Sequence, residues 1–201
     1  MPKVGYSKND KDRIRQSLIE TCLKLISKQG VQHTTIEQVY KETGISRTFF
    51  YSFFSTKEEL IIECLYYQQP KIISYLKELR EECSMDWTHT LRIFLKKCCY
   101  DKEGFVILSV EEQQLIFNRL TPNEYEIFRK KQECLFSDIL ECFDIKADKE
   151  KVDLFINLCL MLIIFRKAIP ATLPMLIPET ADKAVEIQIE AIINYLKTIK
   201  Q

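Results

Sequence analysis

Apolar residues recur three and four positions apart along most of the chain, which is the spacing of one buried face of an α-helix. The first such segment covers about residues 10–29, and Gly30 follows it as a C-terminal cap. Its apolar stripe consists of Ile14, Leu18, Cys22, Leu25 and Ile26. Two short helices are predicted next. One begins after Thr35, with Gln38 completing a capping box, and ends at Gly44; the other runs from Arg47 to Phe53, with Ser46 as its N-cap.

Six further helices are predicted downstream. A long one starts near Thr56 and reaches about Glu82, although Pro70 should kink or interrupt it. The others cover about 86–102, 106–120, 122–143, 148–169 and 179–200, and the three prolines between 170 and 178 predict a loop. Two short helices joined by a Gly-containing turn, behind a longer first helix, are typical of a helix-turn-helix.

The composition agrees with an all-α protein that has a sizeable core. Of the 201 residues, 46% are hydrophobic and only four are glycine, which argues against a fold with many tight turns. The longest apolar run, 154–165, is too short to cross a bilayer. No secretory signal is visible at the N-terminus, so we expect a cytoplasmic protein.

The eight cysteines, at positions 22, 64, 83, 98, 99, 134, 142 and 159, are scattered through apolar helical patterns without a C-x-x-C pair. We therefore expect reduced, buried thiols rather than disulfides, and neither a metal site nor a cofactor. Charge is unevenly distributed. Residues 1–57 hold ten Lys and Arg against five Asp and Glu, whereas the rest of the chain has an acidic excess of five. A basic N-terminal quarter suggests an anionic partner.

The segment 34–60, TTIEQVYKETGISRTFFYSFFSTKEEL, resembles the DNA-binding region of TetR-family transcriptional regulators. The resemblance rests on the Thr-Thr start, on Gly44-Ile45-Ser46, on the aromatic cluster and on the Lys57-Glu58-Glu59-Leu60 helix start. With the preceding helix it covers about 50 residues. It implies a helix-turn-helix DNA-binding domain over 1–56, joined to a larger helical effector-binding and dimerisation domain over 57–201.

The resemblance also implies roles for individual residues. Arg47 is expected to read a guanine, and Ser46 or Thr48 to meet a base or a phosphate. Thr35 and Ser46 cap helices as well, and capping is compatible with DNA contact. Phe49 could touch a thymine methyl group or fold back against the first helix. The expected DNA-binding residues are Thr34, Thr35, Ser46, Arg47, Thr48, Phe49, Tyr51, Ser52 and Lys57.

For the C-terminal domain, the resemblance implies a homodimer formed by the last two helices and a pocket for a small, largely apolar effector. The expected dimer residues, part of which could equally be intramolecular core, are Phe155, Leu158, Leu162, Phe165, Ile189, Ile192, Ile193 and Leu196. The candidate pocket residues, each of which could equally be plain core or surface, are Tyr66, Tyr67, Trp87, Phe94, Gln113, Phe117, Tyr125, Phe128 and Asn157.

Two other classes of function compete with a repressor that binds palindromic operator DNA and is released by an effector. An enzyme is disfavoured, because the sequence has no Gly-rich phosphate loop, no G-x-S-x-G and no H-E-x-x-H motif. A helical adaptor whose basic N-terminal region binds an acidic protein remains the alternative. The sequence gives neither the operator nor the identity of the effector, and it does not distinguish a repressor from an activator.

Overall fold

The computed structural model describes residues 6–82, 86–100, 104–169 and 175–200. Within these ranges the chain forms α-helices, a short 3₁₀ turn and connecting segments, without a β-strand. The chain divides into two compact units, Met1–Gln68 and Gln69–Gln201. The division falls within the fourth helix, after the predicted domain boundary at 56/57.

The N-terminal unit contains α1 (Lys8–His33), α2 (Ile36–Glu42), α3 (Arg47–Phe50) and the first part of α4 (Lys57–Glu82). Gly30 interrupts α1 with a φ of 78°, at the position where the sequence predicts its end. α3 ends three residues earlier than predicted, because the Ser52 hydroxyl caps the Phe49 carbonyl at 2.6 Å and the chain turns there.

Buried side chains from all four helices fill this unit. α1 contributes the predicted Leu18, Cys22, Leu25 and Ile26, and Phe50 and Phe54 are among the largest fully buried side chains of the chain. The first turns of α4 join the same unit: Glu63 pairs with Arg15 at 2.6 Å, and Tyr67 is hydrogen-bonded to Glu20. These contacts place the start of α4 in the N-terminal unit.

The C-terminal unit contains the rest of α4 and α5 (Trp87–Tyr100), α6 (Val110–Phe117), α7 (Pro122–Glu141), α8 (Lys149–Ala168) and α9 (Ala181–Ile199), with a 3₁₀ turn at Pro178–Thr180 before α9. α4 continues through Pro70 without the predicted interruption. α6 begins four residues later than predicted, because Ser109 and Glu112 form a capping box there. The predicted end of α5 at 101–102 and the loop residues 170–174 lie outside the described residues.

One continuous apolar core joins α4, α5, α7, α8 and α9 in the C-terminal unit. It includes most of the predicted dimer residues, which agrees with the alternative that part of the set is intramolecular core. The side chains of Phe155, Leu162, Ile189, Ile192, Ile193 and Leu196 are all buried within this one chain. Leu158 is partly buried and Phe165 is exposed, so only these two of the predicted set have surface available for a partner.

The apolar surface of α8 lies on its other face. Leu154, Leu158, Met161 and Phe165 follow one another at helical spacing, and Met161 is 69% exposed. On α9, which packs against α8, Ile187 is 70% exposed. We call these five residues the α8–α9 apolar face.

Most described cysteines agree with the prediction of buried thiols. Cys22, Cys64, Cys98, Cys99 and Cys159 are buried, Cys142 is partly buried, and Cys134 is exposed. Burial raises the pKa of the Cys99 thiol to about 11, so it is protonated at neutral pH. Cys83 lies outside the described residues.

Candidate nucleic-acid interface

The turn between α2 and α3 is fixed by a Schellman motif, in which the last carbonyls of a helix accept bonds from the residues that follow it. The Ile45 amide donates to the Tyr40 carbonyl at 3.0 Å and the Gly44 amide donates to the Lys41 carbonyl at 3.1 Å. Gly44 has a φ of 74°, a conformation that favours glycine. The motif sets the direction in which the chain enters α3.

α3 presents its first turn to solvent. The Ser46 hydroxyl accepts a hydrogen bond from the Phe49 amide at 3.1 Å, which confirms Ser46 as the N-cap. Ser46, Arg47 and Thr48 are all exposed, whereas Phe50 points into the unit and is fully buried. The exposed turn therefore offers a guanidinium and two hydroxyl groups on a helix held from its other side.

Tyr51 and Ser52 extend this surface beyond the end of α3. The Tyr51 ring is exposed and contacts the edge of Phe50, with ring centroids 5.4 Å apart. The Arg47 guanidinium carbon lies 6.0 Å from the centroid of the Tyr51 ring. Arg47, Thr48, Tyr51 and Ser52 thus form one polar surface.

The two threonines before α2 have different surroundings. Thr35 is exposed and forms a capping box with Gln38, as predicted. Thr34 is only 1% exposed, and its hydroxyl donates to the Gly30 carbonyl at 2.8 Å. The expectation that the Thr34 side chain contacts phosphate does not fit this burial, because the hydroxyl is used to close the α1–α2 junction.

Lys57 lies at the start of α4, where Thr56 caps the helix. Its Nζ donates to the Val31 carbonyl at 2.6 Å, so the ammonium group links α4 to the segment that follows the Gly30 break. Lys57 is partly buried. Its side chain therefore has a structural contact in addition to the expected phosphate contact.

Phe49 is half-buried rather than fully exposed. Its ring stacks on Tyr6, with centroids 4.6 Å apart and an interplanar angle of 22°, and meets the edge of Phe53 at 5.0 Å. Of the two alternatives for Phe49, the structure is nearer to folding back, with Tyr6, two residues before α1, as the partner rather than α1 itself. Tyr6 lies outside the helix-turn-helix pattern, so no signal in the sequence pointed to it.

An ion pair on the exposed side of α2 was also not predicted from the sequence. Lys41 and Glu37 are 2.6 Å apart, both well exposed, at the i, i+4 spacing that could have identified them. The hydrogen bond from Lys41 lowers the pKa of Glu37, and the nearby Arg47 lowers it slightly further. The carboxylate therefore stays ionised next to the exposed turn of α3.

The candidate pocket residues are divided between the two units. Tyr66 and Tyr67 belong to the N-terminal unit, and burial together with Glu63 raises the pKa of Tyr66 to about 12. Trp87 packs near Phe143, and Phe94 near Phe105. Phe117, Tyr125 and Phe128 form a separate aromatic cluster with centroid distances of 5.5 and 5.1 Å from Phe117.

Two of the candidate pocket residues have other surroundings. Asn157 is exposed, next to the α8–α9 apolar face, rather than in the interior. The Gln113 side chain donates to the Leu108 carbonyl at 3.1 Å and so closes the start of α6. In the part of the chain that the structure describes, no cluster of His, Cys, Asp or Glu could hold a metal ion. Nor does any helix there have the length and apolar character needed to cross a membrane.

Comparison with known proteins identifies the N-terminal helices. Residues 18–64 match the family model described as bacterial regulatory proteins, tetR family. The segment that carries the helix-turn-helix is therefore similar to the TetR family. The match includes α2, α3 and the turn between them, and it starts after Tyr6.

Two curated relatives come from Bacillus subtilis. The uncharacterized HTH-type transcriptional regulator YxaF is 33% identical over 84 residues, which is 41% of this chain and 44% of YxaF. The uncharacterized HTH-type transcriptional regulator YuxN is 33% identical over 63 residues, 31% of this chain and 22% of YuxN. The chain therefore matches less than half of the length of either relative.

Solved structures extend the likeness of fold to the whole chain. A TetR-family transcriptional regulator from Pectobacterium atrosepticum has a TM-score of 0.60 at 13% identity, over 97% of this chain and 98% of that one. RolR in complex with resorcinol has a TM-score of 0.59 at 14% identity, over 94% of this chain and 90% of that one. At these identities the comparison shows the fold: an N-terminal helix-turn-helix and a C-terminal helical domain.

Proposed function

We propose that this protein is a transcriptional regulator that binds operator DNA through α3. The observation that carries the proposal is the exposed first turn of α3, Ser46-Arg47-Thr48, on a helix whose opposite side is anchored by Phe50. A short helix with a polar, exposed first turn is the element that enters a major groove in helix-turn-helix proteins. The acidic-protein adaptor has no comparable supporting feature.

Individual side chains have different expected roles on DNA. Arg47 carries a planar guanidinium that can donate two hydrogen bonds to guanine, so we assign it to base reading. Tyr51, Ser52 and the half-exposed Lys57 are assigned to the phosphate backbone, which fixes the position of the protein without reading sequence. Ser46 and Thr48 can serve either purpose. The Glu37 carboxylate next to Arg47 would limit the directions in which the guanidinium points.

We further propose that two copies pair through the α8–α9 apolar face. Leu154, Met161 and Phe165 are exposed at helical spacing on α8, Ile187 is exposed on α9, and exposed apolar side chains grouped in this way mark protein–protein contact surfaces. Covering it with the same face of a second copy would give a symmetric pair of α8 and α9 helices. Two recognition helices would then reach two half-sites, as a palindromic operator requires.

We propose that a small, largely apolar molecule binds among the helices of the C-terminal unit and releases the DNA, which would make the regulator a repressor acting in the cytoplasm. The support is the aromatic content of this unit and the fold shared with RolR, whose structure holds resorcinol. α4 is the element that continues from one unit into the other, so it is the covalent route by which binding could act on α3.

The DNA-binding proposal is tested by selecting genomic fragments with the full-length protein, followed by mobility shifts at two salt concentrations. We expect a small set of fragments to be retained, with affinity that falls steeply as salt rises. Arg47→Ala should lose the preference, whereas Arg119→Ala, an exposed arginine in the other unit, serves as the matched control. Binding of every fragment equally, or of none, would contradict the proposal.

The effector proposal is tested by reciprocity. Apolar compounds that raise the melting temperature are titrated with and without the selected operator. A compound that weakens DNA binding by some factor must itself bind more weakly, by the same factor, when the operator is present. A compound with the same affinity in both titrations is not the effector.

A further inference from the structure

We propose that Tyr6 is a positioning residue for DNA recognition: by stacking on Phe49 it holds the recognition helix α3 in the orientation that reads the operator. This inference rests on the proposed DNA-binding function. It assigns a role to a residue that lies outside the segment 18–64 matched by the TetR family model. The stack brings together two residues that are 43 positions apart in the chain.

α3 cannot fix its own orientation. It has only four residues, and helices this short are unstable without packing against the rest of the protein. On the inner side, the fully buried Phe50 provides that packing, with its ring centroid 6.0 Å from that of Phe54. A single anchored side chain still leaves the helix able to roll about its own axis.

The second anchor is an aromatic ladder of Tyr6, Phe49 and Phe53. Tyr6 lies nearly parallel to Phe49, while Phe53 meets the Phe49 ring at 71°, so that ring is held between the two. Offset-stacked and edge-to-face arrangements are the two favourable geometries for aromatic pairs. With Phe50 held inside and Phe49 held on its flank, rotation of α3 is restrained on two sides.

Tyr6 is itself anchored at the start of α1. The next residue, Ser7, is the N-cap of α1, and its hydroxyl accepts from the Asp10 amide at 3.2 Å while the Ser7 amide donates to Asp10 Oδ2 at 3.0 Å. The Ser7 hydroxyl also donates to Asp10 Oδ2 at 2.6 Å, and this bond together with that from the Ser7 amide lowers the pKa of the Asp10 carboxyl, so the capping box is complete at neutral pH. The capping box fixes the direction of the chain as it enters α1, and so the position from which Tyr6 reaches Phe49.

The Phe49 ring is connected to the DNA-facing groups through its own backbone. The Phe49 amide donates to the Ser46 hydroxyl, and the Phe49 carbonyl accepts from Ser52. A shift of the Phe49 ring would therefore move both ends of the exposed turn that carries Arg47. Tyr6 is 54% exposed, so its removal should leave the interior of the unit intact.

The test measures affinity for the selected operator and for unselected DNA with the full-length protein, Tyr6→Ala, Tyr6→Phe, Phe49→Ala and the Tyr6→Ala/Phe49→Ala double variant. Removal of one aromatic pair corresponds to about a 3- to 10-fold weaker operator affinity. We expect this weakening for Tyr6→Ala, with a smaller effect on unselected DNA and an unchanged melting temperature. Tyr6→Phe keeps the ring and should bind like the original protein.

The double variant should bind no more weakly than Phe49→Ala alone, because the two residues act through one contact. Tyr100→Ala removes another exposed tyrosine, which contacts the Arg166 guanidinium in the other unit, and should have no effect on DNA binding. If Phe49→Ala fails to fold, Phe49→Leu replaces it in the cycle. Three results would overturn the inference while leaving DNA binding established. They are an unchanged operator affinity of Tyr6→Ala, losses of affinity in Tyr6→Ala and Phe49→Ala that add up in the double variant, and a Tyr6→Phe variant that binds as weakly as Tyr6→Ala. An original protein that selects no DNA would overturn the proposed function itself.

Discussion

Two neighbouring residues of α8 should respond in opposite ways to the same substitution. Met161 lies on the α8–α9 apolar face and is 69% exposed, whereas Leu162 is 1% exposed in the core. We predict that Met161→Glu folds normally but stays monomeric. We predict that Leu162→Glu fails to fold.

The magnitudes follow from the two environments. For Leu162→Glu, the missing burial of leucine costs about 1.5–3 kcal/mol and an unpaired buried carboxylate several kcal/mol more, which approaches the 5–15 kcal/mol stability of a typical domain. For Met161→Glu, the stability of the single chain is almost unchanged. In a symmetric dimer each copy brings one carboxylate into the interface, so a cost of about 2 kcal/mol per copy weakens the dimer about a thousandfold.

Sedimentation over a range of concentrations gives the dimer affinity, and circular dichroism gives the helix content and melting of each variant. Ile127→Glu, at an exposed apolar position of α7, is the matched control and should remain dimeric. A Met161→Glu variant with the original dimer affinity would refute the assignment of the α8–α9 apolar face. A Leu162→Glu variant that is folded and monomeric would favour the original sequence-based interface instead.

Three further predictions concern the N-terminal unit. Gly44→Ala should destabilise the protein by about 1 kcal/mol in urea unfolding, and Gly44→Asn by less. No atom lies within 4 Å of an added Cβ, so only the left-handed φ carries a cost. An unchanged urea midpoint would contradict this. Arg47→Ala should reduce the binding free energy for the selected operator by about 1–3 kcal/mol, and the base preference at one operator position should weaken in a binding selection. Equal weakening of binding to all sequences would make Arg47 a contact to the DNA backbone. Lys57→Ala should reduce the salt slope of DNA binding by about one unit for each phosphate interaction that it removes. It should also lower the melting temperature, since it removes the bond to the Val31 carbonyl, and an unchanged slope would leave only this structural role.

The two apolar faces of α8 show where sequence reasoning stops. Residues 154–165 are apolar at nearly every position, so the helical period marks two apolar faces without saying which of them the chain covers itself. The larger and more regular set, Phe155, Leu162 and their neighbours, is buried by α5, α7 and α9. The choice between the faces depends on tertiary packing, which the local pattern does not contain.

The helix-turn-helix was more accessible to prediction, because local signals determine most of it. The Thr35–Gln38 capping box, the Gly44 turn and the Ser46 cap are each formed within a few residues of sequence. The exceptions depend on distant partners. Thr34 is turned inward by the Gly30 break, Lys57 reaches Val31, and Phe49 is covered by Tyr6.

The Tyr6–Phe49 contact also changes what has to be moved if the proposed DNA specificity is to be transferred to another protein. A chimera joined at residue 18, where the family match begins, would carry every side chain that we propose reads bases and yet leave Tyr6 behind. If Tyr6 has the proposed role, α3 of that chimera would lack one of its anchors, and we expect it to select operators less sharply. The segment to transfer therefore begins at Tyr6, ahead of α1.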